Sequence, residues 1–339
     1  MSILLRKCRK PIYPSSQLTK RYLHEGKRLI LGIESSCDDS CAALVREDGK
    51  ILSSVQKGQN TITRQFRGVV PLLASKSHEI NLPIVVNQCL NGLGKDEILS
   101  SIDAVALTIG PGLAPCLGVG LTFAKEFCKK YQKPLILVNH MEAHAIVATM
   151  NHQVFYPSFG LMVSGGNTEI VYIPDHCHSF LKIGDTMDDA CGECMDKVCR
   201  HIMDILHPEV KKEKIDISTI TKDTIQSMKE TPLSHGGAQI SKWSKQYEET
   251  EEYKQGGKRI DFPLPMSRQH NANFSFSGIK TFAIRYVDKM EKEGLIDELS
   301  IQRFCYYFEH TLIKHIIKKL CFALDEFPEV HSIVRVFYL

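Results

Sequence analysis

Two stretches of the chain repeat one pattern, and this repeat limits the fold more than any other feature. "LILGIESSCDDSCAALV" begins at Leu29, and "FGLMVSGGNTEIVYI" begins at Phe159. Each reads as an apolar strand, a turn of small polar residues and a second apolar strand, which predicts a hairpin. A weak internal repeat of this kind is typical of duplicated α/β lobes, which can bind a nucleotide between them.

Strand and helix patterns alternate after the first hairpin. Helices are predicted from Pro71 to about Gly92 and over 296–327. "IDAVALTIGPGL" predicts a buried strand, a Gly-Pro-Gly turn and then a helix from about Leu117 to Lys130, and "PLILVNHMEAHAIVATM" predicts a strand followed by a helix. "HSIVRVFYL" begins a further buried strand. The alternation predicts an α/β fold with at least some parallel strands.

The chain divides into a leader over 1–28, an N-terminal lobe over 29–153 and a C-terminal lobe over 154–339. Residues 207–258 are polar and predict a surface insertion, with Trp243 as a candidate anchor. The leader has eight Lys or Arg and one acid, which is typical of a mitochondrial transit peptide. A basic arm that contacts nucleic acid is the alternative.

Composition excludes several classes of protein. Apolar residues make up 43% and charged residues 24%, as in a soluble globular protein, and no apolar run approaches the ~18 residues of a membrane span. The twelve cysteines lack regular spacing, which indicates a reduced compartment. Cys191 and Cys194 in "CGEC" could serve redox chemistry or zinc, but packing is favoured because no second CxxC exists.

"NHMEAH" places His140 and His144 at the start of a predicted helix. The i, i+4 spacing puts both imidazoles on one helical face, about 5–6 Å apart at Cβ, which suits two ligands of one metal ion. A polar helical face is equally consistent with the pair. Glu142 points away from this face, and a zinc peptidase needs its Glu next to the first His, so peptidase chemistry is disfavoured.

Four further motifs offer ligand contacts. The glycines of "VSGGN" could bring bare backbone amides to a phosphate, although a plain hairpin turn has the same sequence. "ESSCDDS" offers hydroxyls and carboxylates in the matching turn of the first lobe. Asp189, Glu193 and Asp196 form either a solvated acidic face or a site for ribose hydroxyls or an amine. In "HNANFSFSGIKT", Phe274 and Phe276 are predicted in the core, leaving Ser, Gly and Lys280 free for a ligand.

Together these motifs resemble the tRNA threonylcarbamoyladenosine-forming transferases, once labelled O-sialoglycoprotein endopeptidases. The matching segments occur in the family's order and span residues 31 to about 320: "LGIESSCDDS", "RGVVPLLAS", "GPGL", "NHMEAH", "VSGGNT", "DDACGECMDK", "HGG" and "FSFSGIKT". This chain departs from the family pattern at Leu72, Lys76 and Asn167. The basic leader indicates the mitochondrial branch.

The resemblance implies a two-lobed fold of the actin, sugar-kinase and heat-shock-chaperone ATPase type. It also implies transfer of a threonylcarbamoyl group from threonylcarbamoyl-AMP to the N6 amine of the adenosine 3′ to the anticodon, in mitochondrial tRNAs that read ANN codons. By the same resemblance, His140 and His144 are expected to bind one divalent metal ion per subunit, zinc or iron. The adenylate-binding positions, which could also take ATP, would be Met162, Val163, Ser164, Gly165, Gly166, Asp196 and Gly237.

The expected partners are mitochondrial tRNA, a separate synthase that makes the adenylate, and a second copy of the chain in a homodimer in the mitochondrial matrix. In the family, a further glycine-rich turn and an Asp that is a third metal ligand follow the strand at "SIVRVFYL". Neither is present here, so a second lobe truncated at its C-terminus, with weak metal retention and low activity, is expected.

Other function classes stay open. One is an ATPase or small-molecule kinase of the same fold, and another is an assembly subunit without catalysis. A generic basic RNA binder is disfavoured because the chain after residue 28 has 34 basic and 38 acidic residues. Contact with tRNA would then need a local patch such as Lys280, Lys289 and Lys292.

Overall fold

The computed structural model describes residues 27–59, 62–63, 68–91, 95–151, 153–175, 180–208 and 236–338. The described residues up to Gln153 form one compact unit, and those from Val154 form a second. The predicted transit peptide lies outside the described residues up to residue 26. Within the described ranges, no helix is long and apolar enough to cross a membrane.

The first unit contains a sheet with strand order β3-β2-β1-β4-β5. Its strands are β1 (Leu29–Glu34), β2 (Ser40–Arg46), β3 (Ile51–Lys57), β4 (Ala104–Gly110) and β5 (Leu135–Asn139). Its helices are α1 (Pro71–Asn91), α2 (Lys95–Ser101), α3 (Ala114–Tyr131) and α4 (His140–Asn151). Strands β1, β2 and β3 pair antiparallel, whereas β4 pairs parallel with both β1 and β5. Buried side chains of α1, such as Leu82 and Val85, pack with Leu31 and Leu44 of the sheet.

The second unit contains a sheet with strand order β8-β7-β6-β9. Its strands are β6 (Ser158–Ser164), β7 (Thr168–Ile173), β8 (Leu181–Asp185) and β9 (Ser332–Tyr338). Its helices are α5 (Cys191–Leu206), α6 (Gly236–Glu248), α7 (Glu251–Lys254), α8 (Ser277–Lys292) and α9 (Glu298–Glu326). Phe159 of β6 and Phe304 and Phe308 of α9 are fully buried in its core.

The two sheets share one arrangement. In each, three consecutive strands pair antiparallel, each with the next, and the free edge of the first strand pairs parallel with a later strand. This confirms the internal repeat, the two hairpins and the predicted mixture of parallel and antiparallel strands. The α/β class is therefore confirmed for both units.

Two elements differ from the sequence prediction. Helix α3 begins at Ala114 rather than near Leu117, because Pro115 lies in the first helical turn, where its missing N–H is tolerated. Residues 209–235 lie outside the described residues, but 236–248 form α6, which packs against α9 with Ile240 and Tyr247 fully buried. This part of the predicted surface insertion is instead core structure. Its few apolar residues, spaced three and four apart, give too weak a periodicity to identify in sequence.

Candidate active-site residues in the two units

The histidine pair of the first unit lies at the start of α4. Asn139, the last residue of β5, accepts hydrogen bonds through Oδ1 from the backbone N–H groups of Met141 at 2.9 Å and Glu142 at 3.1 Å. A side chain that accepts from these first amides is an N-cap, and it fixes where the helix begins. The predicted strand-to-helix transition is confirmed, and His140 and His144 occupy one face of the helix.

The two imidazoles face each other through their Nε2 atoms. These atoms are 3.0 Å apart, and the ring planes are inclined by 84°. Two nitrogens that each lie about 2.0–2.1 Å from one tetrahedral zinc ion are separated by about 3.3–3.4 Å. A small separation of the two rings would therefore let the donor pair share one divalent ion. Without an ion, one Nε2–H can donate to the other Nε2.

Glu34, at the end of β1, orients His140. Its Oε2 lies 3.1 Å from Nδ1 of His140. Burial alone would raise the pKa of Glu34, but hydrogen bonds from His140, Ser36 and Thr108 together lower it to about 2. The ionised carboxylate accepts from the Nδ1–H of His140 and leaves the Nε2 lone pair free. Metal-binding histidines usually have such a carboxylate behind them.

His144 is uncharged at neutral pH. Burial, with a smaller contribution from the charge of His140, lowers its pKa to about 4. A neutral imidazole is the form that binds metal ions. In the part of the chain that the structure describes, no group of three or more His, Cys, Asp or Glu side chains could hold a metal ion. The assignment of His140 and His144 as metal ligands stays a prediction.

The turn that carries Ser36 is fixed from two sides. Leu113 N donates to the Ser36 carbonyl at 2.7 Å, and a Cβ on Gly112 would lie 2.5 Å from the same oxygen. On the other side, buried His78 has Nε2 2.9 Å from the Cys37 carbonyl and Nδ1 2.7 Å from the Ser40 hydroxyl. His78 thus donates through Nε2–H and accepts at Nδ1. Sequence reasoning missed His78, since its partners are about forty residues away.

The glycine turn of the second unit is closed by its own end residues. Ser164 N donates to the Asn167 carbonyl at 2.8 Å, and Asn167 N donates to the Ser164 hydroxyl at 3.1 Å. Gly165 and Gly166 between them are exposed. Exposed glycine backbone can approach an anion closely because no side chain shields the amides.

Helix α5 begins directly against this glycine turn. Cys191 N donates to the hydroxyl of Thr168 at 2.9 Å. A Cβ on Gly192 would lie 2.7 Å from Gly165 Cα and 2.7 Å from the Ser164 carbonyl oxygen, so only glycine permits this approach. The N-terminus of a helix carries a partial positive charge, which favours an anion at the adjoining turn.

Asp196 connects α5 to the start of α6. Its Oδ1 accepts a hydrogen bond from the backbone N–H of Gly237 at 3.2 Å, and a Cβ on Gly236 would lie 2.5 Å from that oxygen. Helix α5 therefore approaches Gly165 through Gly192 and Gly237 through Asp196. The side chains of Met162 and Val163 are buried, so their assignment to adenylate binding stays a prediction.

Two of the three acidic residues, Asp189 and Glu193, share Lys197 as a partner. Asp189 precedes α5, where it pairs with Lys197 at 2.9 Å and also with Lys280. The prediction that Lys280 is free for a ligand is therefore wrong, because its ammonium group is committed to Asp189. Glu193 pairs with Lys197 at 2.7 Å.

Sequence reasoning assigned no role to Asp188. It accepts hydrogen bonds from the backbone of Phe276 at 2.7 Å and from the hydroxyls of Ser275 and Ser277 at 2.6 Å each. Burial would raise the pKa of Asp188, but these hydrogen bonds together lower it. The serines predicted to be free instead bind Asp188, which anchors the start of α8.

Phe274 and Phe276 are fully buried, as predicted. Both rings contact His315 of α9, whose Nε2 accepts a hydrogen bond from Ser275 N at 3.2 Å. Its Nδ1 is buried without a hydrogen-bond partner. Burial, followed by the nearby charge of Lys319, lowers the pKa of His315 to about 4.

This buried histidine predicts acid sensitivity of folding. Between pH 6.5 and 4 the unfolded chain binds a proton at His315 that the folded chain does not. As the pH is lowered from 6.5 to 4, the free energy of unfolding should therefore decrease. This group should contribute up to about 1.4 kcal/mol per pH unit to that decrease. Urea denaturation from pH 7 to pH 5 measures the slope. His315→Gln, which can still accept from Ser275 N, should have a shallower slope than the exposed control His331→Gln; equal slopes would contradict the assignment.

Cys191 and Cys194 are buried free thiols, in line with the packing interpretation. Burial raises the pKa of Cys191 to about 12 and that of Cys194 still further. Since the thiolate is the reactive form, iodoacetamide should label exposed Cys321 in the folded protein and leave both buried thiols unlabelled. Peptide mass mapping checks this, with the denatured protein as control. Fast labelling of Cys194 in the folded protein would instead favour a redox role.

Comparison with known proteins gives a consistent match. The family model described as tRNA N6-adenosine threonylcarbamoyltransferase matches residues 50–337. A mitochondrial tRNA N6-adenosine threonylcarbamoyltransferase of Danio rerio is 33% identical over 86% of the chain, and the chain spans 65% of that relative's length. A tRNA N6-adenosine threonylcarbamoyltransferase of Pelagibacter ubique is 30% identical over 91% of the chain and 75% of its own length.

Solved structures are more distant. YeaZ from Pseudomonas aeruginosa is similar over 45% of this chain and 64% of its own, with a TM-score of 0.32 and 18% identity. The (R)-2-hydroxyglutaryl-CoA dehydratase component A of Acidaminococcus fermentans covers 91% of both chains, with a TM-score of 0.41 and 11% identity.

Proposed function

Because the chain belongs to the tRNA N6-adenosine threonylcarbamoyltransferase family, we propose that it forms threonylcarbamoyladenosine in mitochondrial tRNA. The donor is threonylcarbamoyl-AMP, and the acceptor is the N6 amine of the adenosine 3′ to the anticodon in tRNAs that read ANN codons. The observation that carries this proposal is the pair of imidazoles at the start of α4, with their Nε2 atoms 3.0 Å apart.

The reaction needs an activated carbonyl, because the lone pair of an adenine amine is delocalised into the ring. In the transfer, the amine nitrogen forms a bond to the carbonyl carbon, the bond from that carbon to the phosphate oxygen breaks, and AMP leaves. The amine loses one proton. No serine or cysteine nucleophile is required, so correct positioning of the two substrates supplies most of the acceleration.

The residues of the first unit suit a metal site. Glu34 holds the Nδ1–H of His140, so that Nε2 presents its lone pair, and His144 is neutral. These two histidines would hold a zinc or iron ion, which when bound would supply Lewis acidity toward the carbonyl. The choice between the two metals does not follow from imidazole ligands, which suit both.

The residues of the second unit suit the phosphate of an adenylate or of ATP. Gly165 and Gly166 expose backbone amides, and α5 directs its N-terminus toward the same turn. Asp196 is held beside Gly237 and could accept from a ribose hydroxyl. The proposed adenylate contacts remain Met162, Val163, Ser164, Gly165, Gly166, Asp196 and Gly237.

The proposed location is the mitochondrial matrix. The relative from Danio rerio is named as a mitochondrial protein, and residues 1–28 have the composition of a transit peptide. Mitochondrial tRNA, a separate synthase for the adenylate, and a second copy of the chain in a homodimer complete the proposed partners.

Reconstitution of the reaction tests the function. Purified protein is incubated with ATP, threonine, bicarbonate, the synthase and an ANN-reading tRNA transcript, and the digested nucleosides are analysed by mass spectrometry. We expect threonylcarbamoyladenosine, and none from a transcript with guanosine in place of the target adenosine. Absence of product from both transcripts would reject the proposal. Rapid phosphate release without tRNA would favour an ATPase or kinase instead.

A further inference from the structure

A cavity in the second unit lies apart from the residues assigned above. It has a volume of about 570 Å³, within the range of small-molecule sites, and we call it the aromatic cavity. Its chemically distinctive lining residues are Tyr247, Tyr253, Arg259, Tyr306, His310 and Lys314. Tyr247 lies eleven residues along α6 from Gly236, which is about 16 Å at 1.5 Å per residue. The aromatic cavity is therefore at the opposite end of α6 from Asp196.

The tyrosines of the cavity hold one another in place. The Tyr306 ring lies 5.2 Å from that of Tyr253, 5.4 Å from that of Tyr247 and 3.9 Å from that of His310. The Tyr306 hydroxyl lies 3.4 Å from the Tyr253 hydroxyl, and the Tyr247 hydroxyl donates to Glu252 at 3.1 Å. Rings fixed in this way lose little conformational freedom when a ligand stacks on them.

The charges of the cavity favour an anion. Arg259 and Lys314 are cations, and Asp261 is the one carboxylate among the lining residues. Arg259 pairs with Asp261 at 2.8 Å, but both side chains are largely exposed, and such pairs contribute little stability. The guanidinium can therefore exchange its partner for a phosphate. Burial, helped by the hydrogen bond to Glu252, raises the pKa of Tyr247 to about 12, so this phenol stays neutral.

Aromatic rings beside cationic side chains suit a nucleotide, whose base can stack on a ring and whose phosphate can pair with a cation. Unpaired bases of RNA stack on tyrosine rings, and their phosphates bind Arg and Lys. A quaternary ammonium ligand would also stack on tyrosines, but Arg259 and Lys314 would repel it. The aromatic rings and the net positive charge thus favour a nucleotide.

We propose that the aromatic cavity binds an unpaired nucleotide of the tRNA substrate. Its base would stack on Tyr253, against whose ring Tyr306 packs edge-to-face, and its phosphate would contact Arg259 and Lys314. This inference rests on the proposed function for the identity of the RNA. The aromatic cavity contains none of the lysines that the sequence analysis offered as a tRNA contact, which are Lys280, Lys289 and Lys292.

The stacking contact is tested with Tyr253, whose side chain is 38% exposed. Affinity is measured by fluorescence anisotropy with a labelled ANN-reading tRNA transcript. Tyr253→Ala should weaken binding by about 5- to 150-fold, the effect of losing one aromatic stacking partner. Tyr253→Phe keeps the ring and should bind within about twofold of the unsubstituted protein, since stacking needs the π-face and not the hydroxyl.

The phosphate contact is tested by salt dependence. Arg259→Ala and Lys314→Ala should each reduce the slope of log K against log salt by about 0.7–1, because one phosphate contact is lost. Lys258→Ala is the matched control: Lys258 precedes Arg259 and is exposed, but it does not line the cavity. Its slope should equal that of the unsubstituted protein.

The outcomes separate this inference from the proposed function. If the unsubstituted protein modifies tRNA but Tyr253→Ala and Arg259→Ala bind like Lys258→Ala, the aromatic cavity is not an RNA site and the function stands. If the unsubstituted protein neither binds nor modifies tRNA, both proposals fall. Thermal unfolding of each variant excludes misfolding as a cause. Should Tyr253→Ala not fold, exposed Lys314→Glu, which should weaken binding beyond Lys314→Ala, decides the question.

Discussion

Replacing His144 with alanine is expected to lower threonylcarbamoyl transfer by at least about 100-fold, because loss of a residue behind a metal ligand already costs about 10–100-fold and His144 is a proposed ligand itself. The same substitution removes one of two Nε2 atoms that lie 3.0 Å apart. Transfer is measured as product nucleoside per unit time at saturating adenylate. Zinc affinity, measured by competition with a chelator, gives a second readout that does not depend on activity.

Two matched variants make this test specific. Glu142→Gln changes a residue of the same helix between the two histidines and should leave zinc affinity unchanged. Glu34→Gln removes the ionised carboxylate behind His140 and should lower zinc affinity by about 10–100-fold. If His144→Ala binds zinc and transfers the group as well as the unsubstituted protein does, the histidine pair is a polar helical face and not a metal site.

Gly192→Ala is expected to disrupt the proposed adenylate site and destabilise the second unit by about 1–3 kcal/mol, the usual effect of overpacking. The added methyl group would lie 2.7 Å from both Gly165 Cα and the Ser164 carbonyl oxygen. Both are backbone atoms, so relief requires a shift of α5 or of the glycine turn. Calorimetric titration with AMP should show at least about a tenfold loss of affinity, equivalent to 1.4 kcal/mol of binding free energy.

Gly278→Ala is the control for the stability measurement. A Cβ at Gly278 of α8 meets no atom within 4 Å. Alanine is a better helix former than glycine by up to about 1 kcal/mol, so this variant should be at least as stable as the unsubstituted protein. Equal unfolding temperatures and equal AMP affinities for Gly192→Ala and the unsubstituted protein would show that the turn does not depend on this contact.

Much of the local structure could be predicted from the sequence. The hairpins, the buried strands and the start of α4 follow from apolar periodicity interrupted by turn residues, which act over only a few positions. The i, i+4 spacing was enough to place His140 and His144 on one helical face. Ordered motifs over most of the chain were enough to identify the family.

Charged and polar side chains were predicted less well. Lys280 and the serines beside it read as free ligand contacts, yet they bind Asp189 and Asp188 about ninety residues earlier in the sequence. Local sequence cannot tell whether a charged side chain faces a ligand or a distant partner. Helix α6 was missed for a related reason, since only packing against α9 makes its few apolar residues a core face.

The sequence by itself determined the two hairpins, the start of α4, the repeated architecture and the family, because these depend on short-range periodicity and on motif order. The tertiary structure alone decided which groups support the candidate site. Glu34 lies behind His140 although 106 residues separate them, and Gly192 must lack a side chain because α5 meets the turn at Gly165. Such pairings arise only when folding brings distant backbone segments within contact distance.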